Sequence, residues 1–205
     1  MKHYEPRNIK NVALLGHGSC GKTTLCEAML KVTGAIERAG TVADGSTVSD
    51  FDTEERKRHI SVSSSVVPII WKDTKVNVID APGLFDFASG VCEALRACET
   101  AIIVLSGKSG LNVGSEKAFR SATKRHLKKI FFINKLNSEH ADFYKVVDTL
   151  KAHYGNVICP VVIPFVKDHK VVSYTDLITG TSWKYEGGKS VRCDMPDFGD
   201  VYDNM

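Results

Sequence analysis

Residues Gly16, His17, Gly18, Ser19, Cys20, Gly21, Lys22 and Thr23 follow the pattern G-x-x-x-x-G-K-T, with Thr24 next in line. Residues of these types in this order can hold a polyphosphate. Glycines let backbone N–H groups turn toward phosphate oxygens, a helix start adds partial positive charge, Lys22 can reach the β and γ oxygens, and the Thr23 hydroxyl can bind magnesium. Asp80-Ala81-Pro82-Gly83 offers the complementary chemistry: a carboxylate for a magnesium-bound water and a glycine amide for a terminal phosphate. Asn134-Lys135-Leu136-Asn137 closes another apolar run, at the edge where a base would lie in a sheet of this kind. Cys20 sits inside the glycine loop, where it is either a thiol activated by the helix start or a small space-filling residue.

These groups need a scaffold, and the hydrophobic pattern predicts one. Asn8 to Leu15, NIKNVALL, is a strand that breaks at Gly16. From Lys22 onward, Leu25, Ala28, Met29 and Val32 recur at the spacing of one helical face. Residues 34–65 are polar and irregular, the length of a functional or disordered loop, and Glu54 to His59, EERKRH, reads as a solvated face. Val66 to Trp71 and Val76 to Ile79 form a hairpin through Lys72 to Lys75, which ends on Asp80. Further strands fall at Thr100 to Leu105 and Lys129 to Ile133, and helices near Gly90 to Cys98, Ser115 to Leu127 and His140 to His153. The alternation predicts an α/β fold, a mainly parallel sheet with helices on both faces and ligands at the carboxyl ends of its strands. After residue 156 the texture turns β-rich, with a Gly187-Gly188 turn and an acidic close from Asp194 to Asp203. Trp71 and Trp183 read as packing residues, and Lys124 to Lys129 as a basic helix end.

A chain of 205 residues is expected to hold one domain, 1–156, with a β-rich appendage, 157–205. The balance of 27 basic against 24 acidic residues is too even for a nucleic-acid arm or a polybasic anchor, so no direct sequence-specific DNA binding is expected. No apolar stretch approaches the roughly 20 residues of a membrane helix, and the N-terminus lacks the apolar core of a secretory signal. Six cysteines without a Cys-x-x-Cys pair read as reduced, mostly buried thiols. A cytoplasmic protein without membrane partners is the expectation.

The order GHGSCGKT, RHIS, DAPG and NKLN resembles the G domain of translational GTPases. The text from Arg38 to Phe143 looks most like elongation factor G and its paralogues, with the tetracycline-resistance ribosomal protection proteins as the sister group. The resemblance implies a P-loop NTPase G domain that takes GTP or GDP with Mg2+ and meets the ribosome through the full-length protein. It assigns phosphate and metal roles to Lys22 and Thr23, puts Ser61 in place of the switch I threonine, and has Asp80 support magnesium. Gly83 would sense the γ-phosphate, acting with Lys22 in catalysis, while Asn134 and Lys135 frame guanine. The β-rich tail resembles the start of an inserted subdomain, so the chain reads as an N-terminal fragment.

Two departures bear on function. Leu84 stands where the family has a histidine that positions the attacking water, so slow intrinsic hydrolysis at most is expected; His17 and His59 are either substitutes or structural residues. Asn137 stands where an aspartate accepts both guanine N–H groups, and an amide donor facing a donor forfeits on the order of 2 kcal/mol, which relaxes base preference. Three readings follow: a hydrolysing nucleotide switch, a nucleotide-binding module with little turnover, and a P-loop kinase for a small molecule.

Overall fold

Strand β1 (Ile9–Leu15) carries the phosphate-binding sequence at its end, and its last three residues, Ala13, Leu14 and Leu15, are buried on both faces of a sheet. A computed structural model describes residues 3–167, 170–187 and 189–196. The described residues divide into two compact units, one within 3–105 and 112–134, the other within 106–111 and 135–196.

In the first unit, β1 lies at the centre of a five-stranded sheet with β2 (Ser65–Trp71), β3 (Thr74–Asp80), β4 (Thr100–Ser106) and β5 (Lys128–Asn134), in the order β2-β3-β1-β4-β5. Both neighbours of β1 run parallel to it, with Leu14 opposite Asp80 on β3 and Leu15 opposite Ile103 on β4. That register brings the tips of β1 and β3 together. Strand β2 pairs antiparallel with β3 through a two-residue Lys72-Asp73 turn and forms the sheet edge. An edge tolerates Pro68, which has no N–H to give. It also leaves Trp71 about half exposed rather than packed.

Helices cover both faces. On one, α1 (Lys22–Val32) packs Cys26 and Leu30 against Leu14, Val67, Ile69 and Val78. On the other, α3 (Ala88–Ala97) and α4 (Val113–Lys124), with Leu95 and Ala118 near Leu15, complete the layer, and α4 meets β5 through Phe119 stacked on Phe131 at 5.6 Å. Between α1 and β2 the supposed loop contains a short helix, α2 (Thr53–Arg58). Asp52 accepts from Glu54 N while Glu55 reaches back to Asp52 N, a reciprocal cap that satisfies the helix start.

The buried face of α1 keeps part of the expected stripe, with Leu25 and Met29 half-buried against the core, and departs from it elsewhere. Val32 is 72% exposed and Ala28 is exposed, whereas Thr23, Cys26, Glu27 and Leu30 are buried. The reason is chemical: the face carrying Thr23 must meet Asp80, and Glu27 on the same face takes the amides of the following segment. The stripe is therefore rotated away from the purely apolar set.

In the second unit, α5 (Phe143–Tyr154) is capped by Asp142, whose side chain accepts from Lys145 N; Phe143 rather than His140 begins it. Strands β6 (Val162–Lys167), β7 (Lys170–Asp176), β8 (Thr181–Glu186) and β9 (Lys189–Cys193) form an antiparallel meander. Ile163, Thr175 and Ser182 line up across three strands on its buried face, where the two hydroxyls pair at 2.8 Å. Gly187 is left-handed at φ 57, while Gly188 and the acidic close beyond 196 lie outside the described residues. All six cysteines are free thiols, three of them buried. Among the described residues no helix is long and apolar enough to cross a membrane.

The observed face of α1 makes a distinguishing prediction. In urea denaturation Leu30→Ala costs about 2–4 kcal/mol and Val32→Ala less than about 0.5 kcal/mol; equal losses would restore the stripe first expected.

Candidate functional site

Beyond Leu15 the chain turns at Gly16, whose φ of 139 and whose closeness to β4 exclude a side chain: a Cβ there would sit 2.5 Å from Val104 O. The loop closes at left-handed Gly21, and α1 begins with Lys22, which is 6% exposed. Lys22 Nζ donates to His17 O at 3.1 Å and Gly16 O at 3.3 Å, which holds the ammonium at the loop's centre. Cys20 Sγ lies 4.0 Å from it. Burial pushes the Cys20 thiol up despite Lys22, so Cys20 fills space and is not an activated nucleophile. His17 packs against α4, where a methyl group at Gly114 would come within 2.9 Å of its ring.

One residue further, the side-chain chemistry changes to oxygen. Thr23 Oγ1 donates to Asp80 Oδ2 at 2.7 Å and lies 3.3 Å from Ser61 Oγ. Ser61 Oγ in turn donates to Asp50 Oδ1 at 2.7 Å, and Ser49 Oγ to Asp80 Oδ2 at 3.1 Å. Asp80 Oδ1 is buried and accepts no hydrogen bond among the described residues. Burial is the main cause that pushes the Asp80 carboxyl up to about 6, against the opposing effects of Thr23, Lys22 and Ser49. Hydroxyl and carboxylate oxygens with one carboxylate oxygen unsatisfied are a donor set that fits a hard divalent cation such as magnesium.

The turn after Asp80 closes over the loop. A Cβ on Gly83 would be 2.4 Å from Lys22 Nζ and 2.8 Å from Gly18 N, so only glycine allows the approach. Leu84 follows with its side chain toward Gly18 and a cavity of about 200 Å³ that is also lined by Leu15, Val91, Leu95 and Ala118. The lining is mostly apolar, with Lys117 and Ser121 on α4 as its polar members, and Leu84 itself supplies no group for a water. His59 is a left-handed helix cap at φ 55 whose Nδ1 contacts Val42 O at 2.8 Å.

The first unit therefore assembles Gly16 to Thr23, Ser61, Asp80 and Gly83 at one sheet end. Thr24 is exposed on the first turn of α1, and left-handed Ser19 is exposed on the loop. Asn134 joins them: its Nδ2 donates to Cys20 O at 3.1 Å and so ties β5 to the loop. Lys135 and Asn137 are exposed residues of the second unit, Lys135 left-handed at φ 58 with its carbonyl accepting from Ser138 N.

Sequence reasoning missed four buried acidic or hydroxyl partners. Glu27 accepts from Gly40 N at 2.7 Å and Val48 N at 2.6 Å, which pins two points of the segment after α1. Asp50 and Ser49 hold Ser61 and Asp80, and Glu55 accepts from three amides. The D-x-x-E spacing of Asp52 and Glu55 is a helix-start signal that would have exposed α2. Glu27 is visible as the i+4 partner of Thr23.

A family model described as the elongation factor Tu GTP binding domain matches residues 7–193. Elongation factor G of Granulibacter bethesdensis is 35% identical over 181 residues, 88% of this chain and 26% of that protein. Elongation factor G 1 of Pseudoalteromonas atlantica is 38% identical over 170 residues, covering 83% and 24%. Mitochondrial ribosome-releasing factor 2 of Culex quinquefasciatus is 34% identical over 174 residues, covering 85% and 23%. A crystal structure from Thermus thermophilus superimposes with a TM-score of 0.87 at 34% identity, over 92% of this chain and 28% of that one. The chain spans about a quarter of the length of the curated relatives it matches.

The raised Asp80 carboxyl links this site to pH. Its folded value of about 6 lies above the ordinary 3.8, so the folded chain binds the extra proton between those values. The cost of the ionised, desolvated carboxylate is absent below about pH 4, grows through the window and is complete above about pH 6. Metal-free Asp80→Asn, which removes that cost, gains stability relative to the parent as pH rises from 4 to 7, by up to about 3 kcal/mol in urea denaturation with a chelator present. A difference that stays flat across the range would contradict the assignment.

Proposed function

We propose, from the fact that this chain belongs to the elongation factor Tu GTP binding domain family, that it binds GTP and GDP with magnesium as the switch domain of an elongation factor G-like translation factor. The observation that carries this reading is the convergence at one sheet end of a buried ammonium, a threonine–aspartate pair and a glycine turn. Thr23 Oγ1 lies 2.7 Å from Asp80 Oδ2, and Gly83 leaves no room for a Cβ beside Lys22 Nζ.

Lys22 and the amides of Gly16 to Thr24 hold the β- and γ-phosphates. Thr23 and Ser61 hold magnesium, with Asp80 behind them, and the ion when bound neutralises charge on the polyphosphate. Gly83 and a terminal phosphate both belong beside Lys22, so a triphosphate moves the turn and a diphosphate does not require it. This competition makes Gly83 and Ser61 the γ-phosphate-dependent elements of a two-state switch. Hydrolysis is phosphoryl transfer to water with Lys22 offsetting the developing charge. Leu84 offers that water no partner, which makes the intrinsic rate slow.

Asn134, Lys135 and Asn137 frame the base, and the amide of Asn137 weakens the preference for guanine over xanthine. The domain of 1–156 works in the cytoplasm on the ribosome as part of a longer protein, with 157–205 as the start of an inserted subdomain.

Calorimetry tests the binding step: the chain takes Mg·GTP and Mg·GDP in preference to Mg·ATP, and Lys22→Ala weakens both guanine nucleotides at least about 100-fold while its thermal midpoint holds. The absence of association with any of the three nucleotides would remove the proposal. In single-turnover hydrolysis Leu84→His is about tenfold or more faster than the parent; equal rates would show that this position does not limit the water.

A further inference from the structure

Helix α2 is exposed except for one residue, Glu55, which is 1% exposed and forms no ion pair among the described residues. A buried carboxylate without a cation must be compensated by hydrogen bonds, and Glu55 has three from backbone amides. Oε2 accepts from Asp52 N at 3.1 Å, within the helix cap. Oε1 accepts from Val62 N at 2.9 Å and Ser63 N at 3.0 Å, well outside the helix. The backbone of Glu55 adds a third link to that segment, because Ile60 N donates to Glu55 O at 3.2 Å. Residues 60, 62 and 63 are thus tied to Glu55, and the residue between these ties is Ser61.

The side-chain oxygen of Ser61 lies 3.3 Å from Thr23 Oγ1 and 2.7 Å from Asp50 Oδ1. Donation to Asp50 turns the hydroxyl proton away and leaves lone pairs for a cation. Serine lacks the second Cβ substituent that stiffens threonine at χ1, so the position of its hydroxyl depends more heavily on a fixed backbone.

We propose that Glu55 is a positioning residue: through the amides of Val62 and Ser63 it fixes the Ser61 hydroxyl beside Thr23 and so sets the magnesium concentration at which the domain holds GTP. The role rests on the nucleotide reading given above. In this role Glu55 acts through the backbone of residues 62 and 63 and not as a ligand. Its effect is that of an outer partner that orients a ligand, a position whose loss costs 10–100-fold in metal affinity in other sites.

Three variants separate this role from helix capping. Asp52→Ala removes the half of the cap made by its own side chain, the bond from Glu54 N, and leaves the clamp. Glu55→Gln keeps a carbonyl oxygen for Val62 N and Ser63 N but turns an amide donor toward Asp52 N, so it loses only the other half of the cap. Glu55→Ala loses that half and the clamp. The measurements are amide exchange at Val62 and Ser63 without nucleotide, the thermal midpoint, and the magnesium concentration for half-maximal GTP binding.

The expected result is a magnesium midpoint raised about tenfold and faster exchange at the two amides in Glu55→Ala, with Asp52→Ala and Glu55→Gln close to the parent in both. A Glu55→Ala midpoint that matches that of Asp52→Ala overturns the role, as does a Glu55→Ala chain that no longer folds, since Glu55 would then serve the fold as a whole. A parent chain that binds no GTP at any magnesium concentration instead overturns the nucleotide reading on which the role rests, and the two failures are told apart by that parent titration.

Discussion

Lys22 carries a full positive charge into a place that is only 6% exposed, and its hydrogen-bond acceptors of ordinary strength are two neutral carbonyl oxygens, those of Gly16 and His17. A buried charge is costly unless it is compensated, and two carbonyl dipoles compensate an ammonium less well than an anion would. Most of the local architecture follows from holding that charge in place. Gly16 must be glycine because β4 passes close behind it, and Gly83 must be glycine because the turn after β3 lies against the Gly18 backbone beside the ammonium. The parallel register that sets Leu14 opposite Asp80 brings that turn to the loop.

The negative groups are arranged on the other side of Thr23, and each is handled differently. Glu27 and Glu55 are satisfied by backbone amides and act as fasteners for the segment between α1 and β2. Asp50 takes the Ser61 and Thr47 hydroxyls. Of these four carboxylates, Asp80 keeps a buried oxygen without a donor among the described residues, and burial is the main cause of its raised carboxyl value. A cation-poor pocket of oxygens beside an anion-poor ammonium, separated by one threonine, is the polarity that a polyanion bridged to a divalent cation would neutralise on both sides. The domain is therefore electrostatically incomplete by design, and the segments that bear Ser61 and Gly83 share its two halves.

Much of this was legible in the residues. The glycine loop, the Asp80 turn and the alternation of strands and helices have strong periodic or motif signals, and the elements fall within a few residues of their expected places. On α1 an apolar count places Leu25 and Met29 against the core but also picks Ala28 and Val32, which are exposed, and passes over Thr23, Cys26, Glu27 and Leu30, which are buried. Tertiary demands on two polar side chains outweighed the hydrophobic pattern there. The polar segment 34–65 has little periodicity, and its order comes from carboxylates that reach backbone amides up to 21 residues away, a type of contact that leaves no repeat in the sequence. Leu84 was recognisable as a departure, but only the structure places it in a mostly apolar cavity beside Leu15, Val91 and Leu95.

In the proposed switch the Gly83 turn and a terminal phosphate compete for the space beside Lys22. Hydrogen exchange followed at the amides of residues 60–63 and 83–87, first with Mg·GDP and then with magnesium and a non-hydrolysable GTP analogue, addresses it most directly. The account predicts that the triphosphate changes protection in both segments while the diphosphate leaves the Gly83 turn as it is without nucleotide. Identical protection with both ligands, with each shown to be bound, would contradict it.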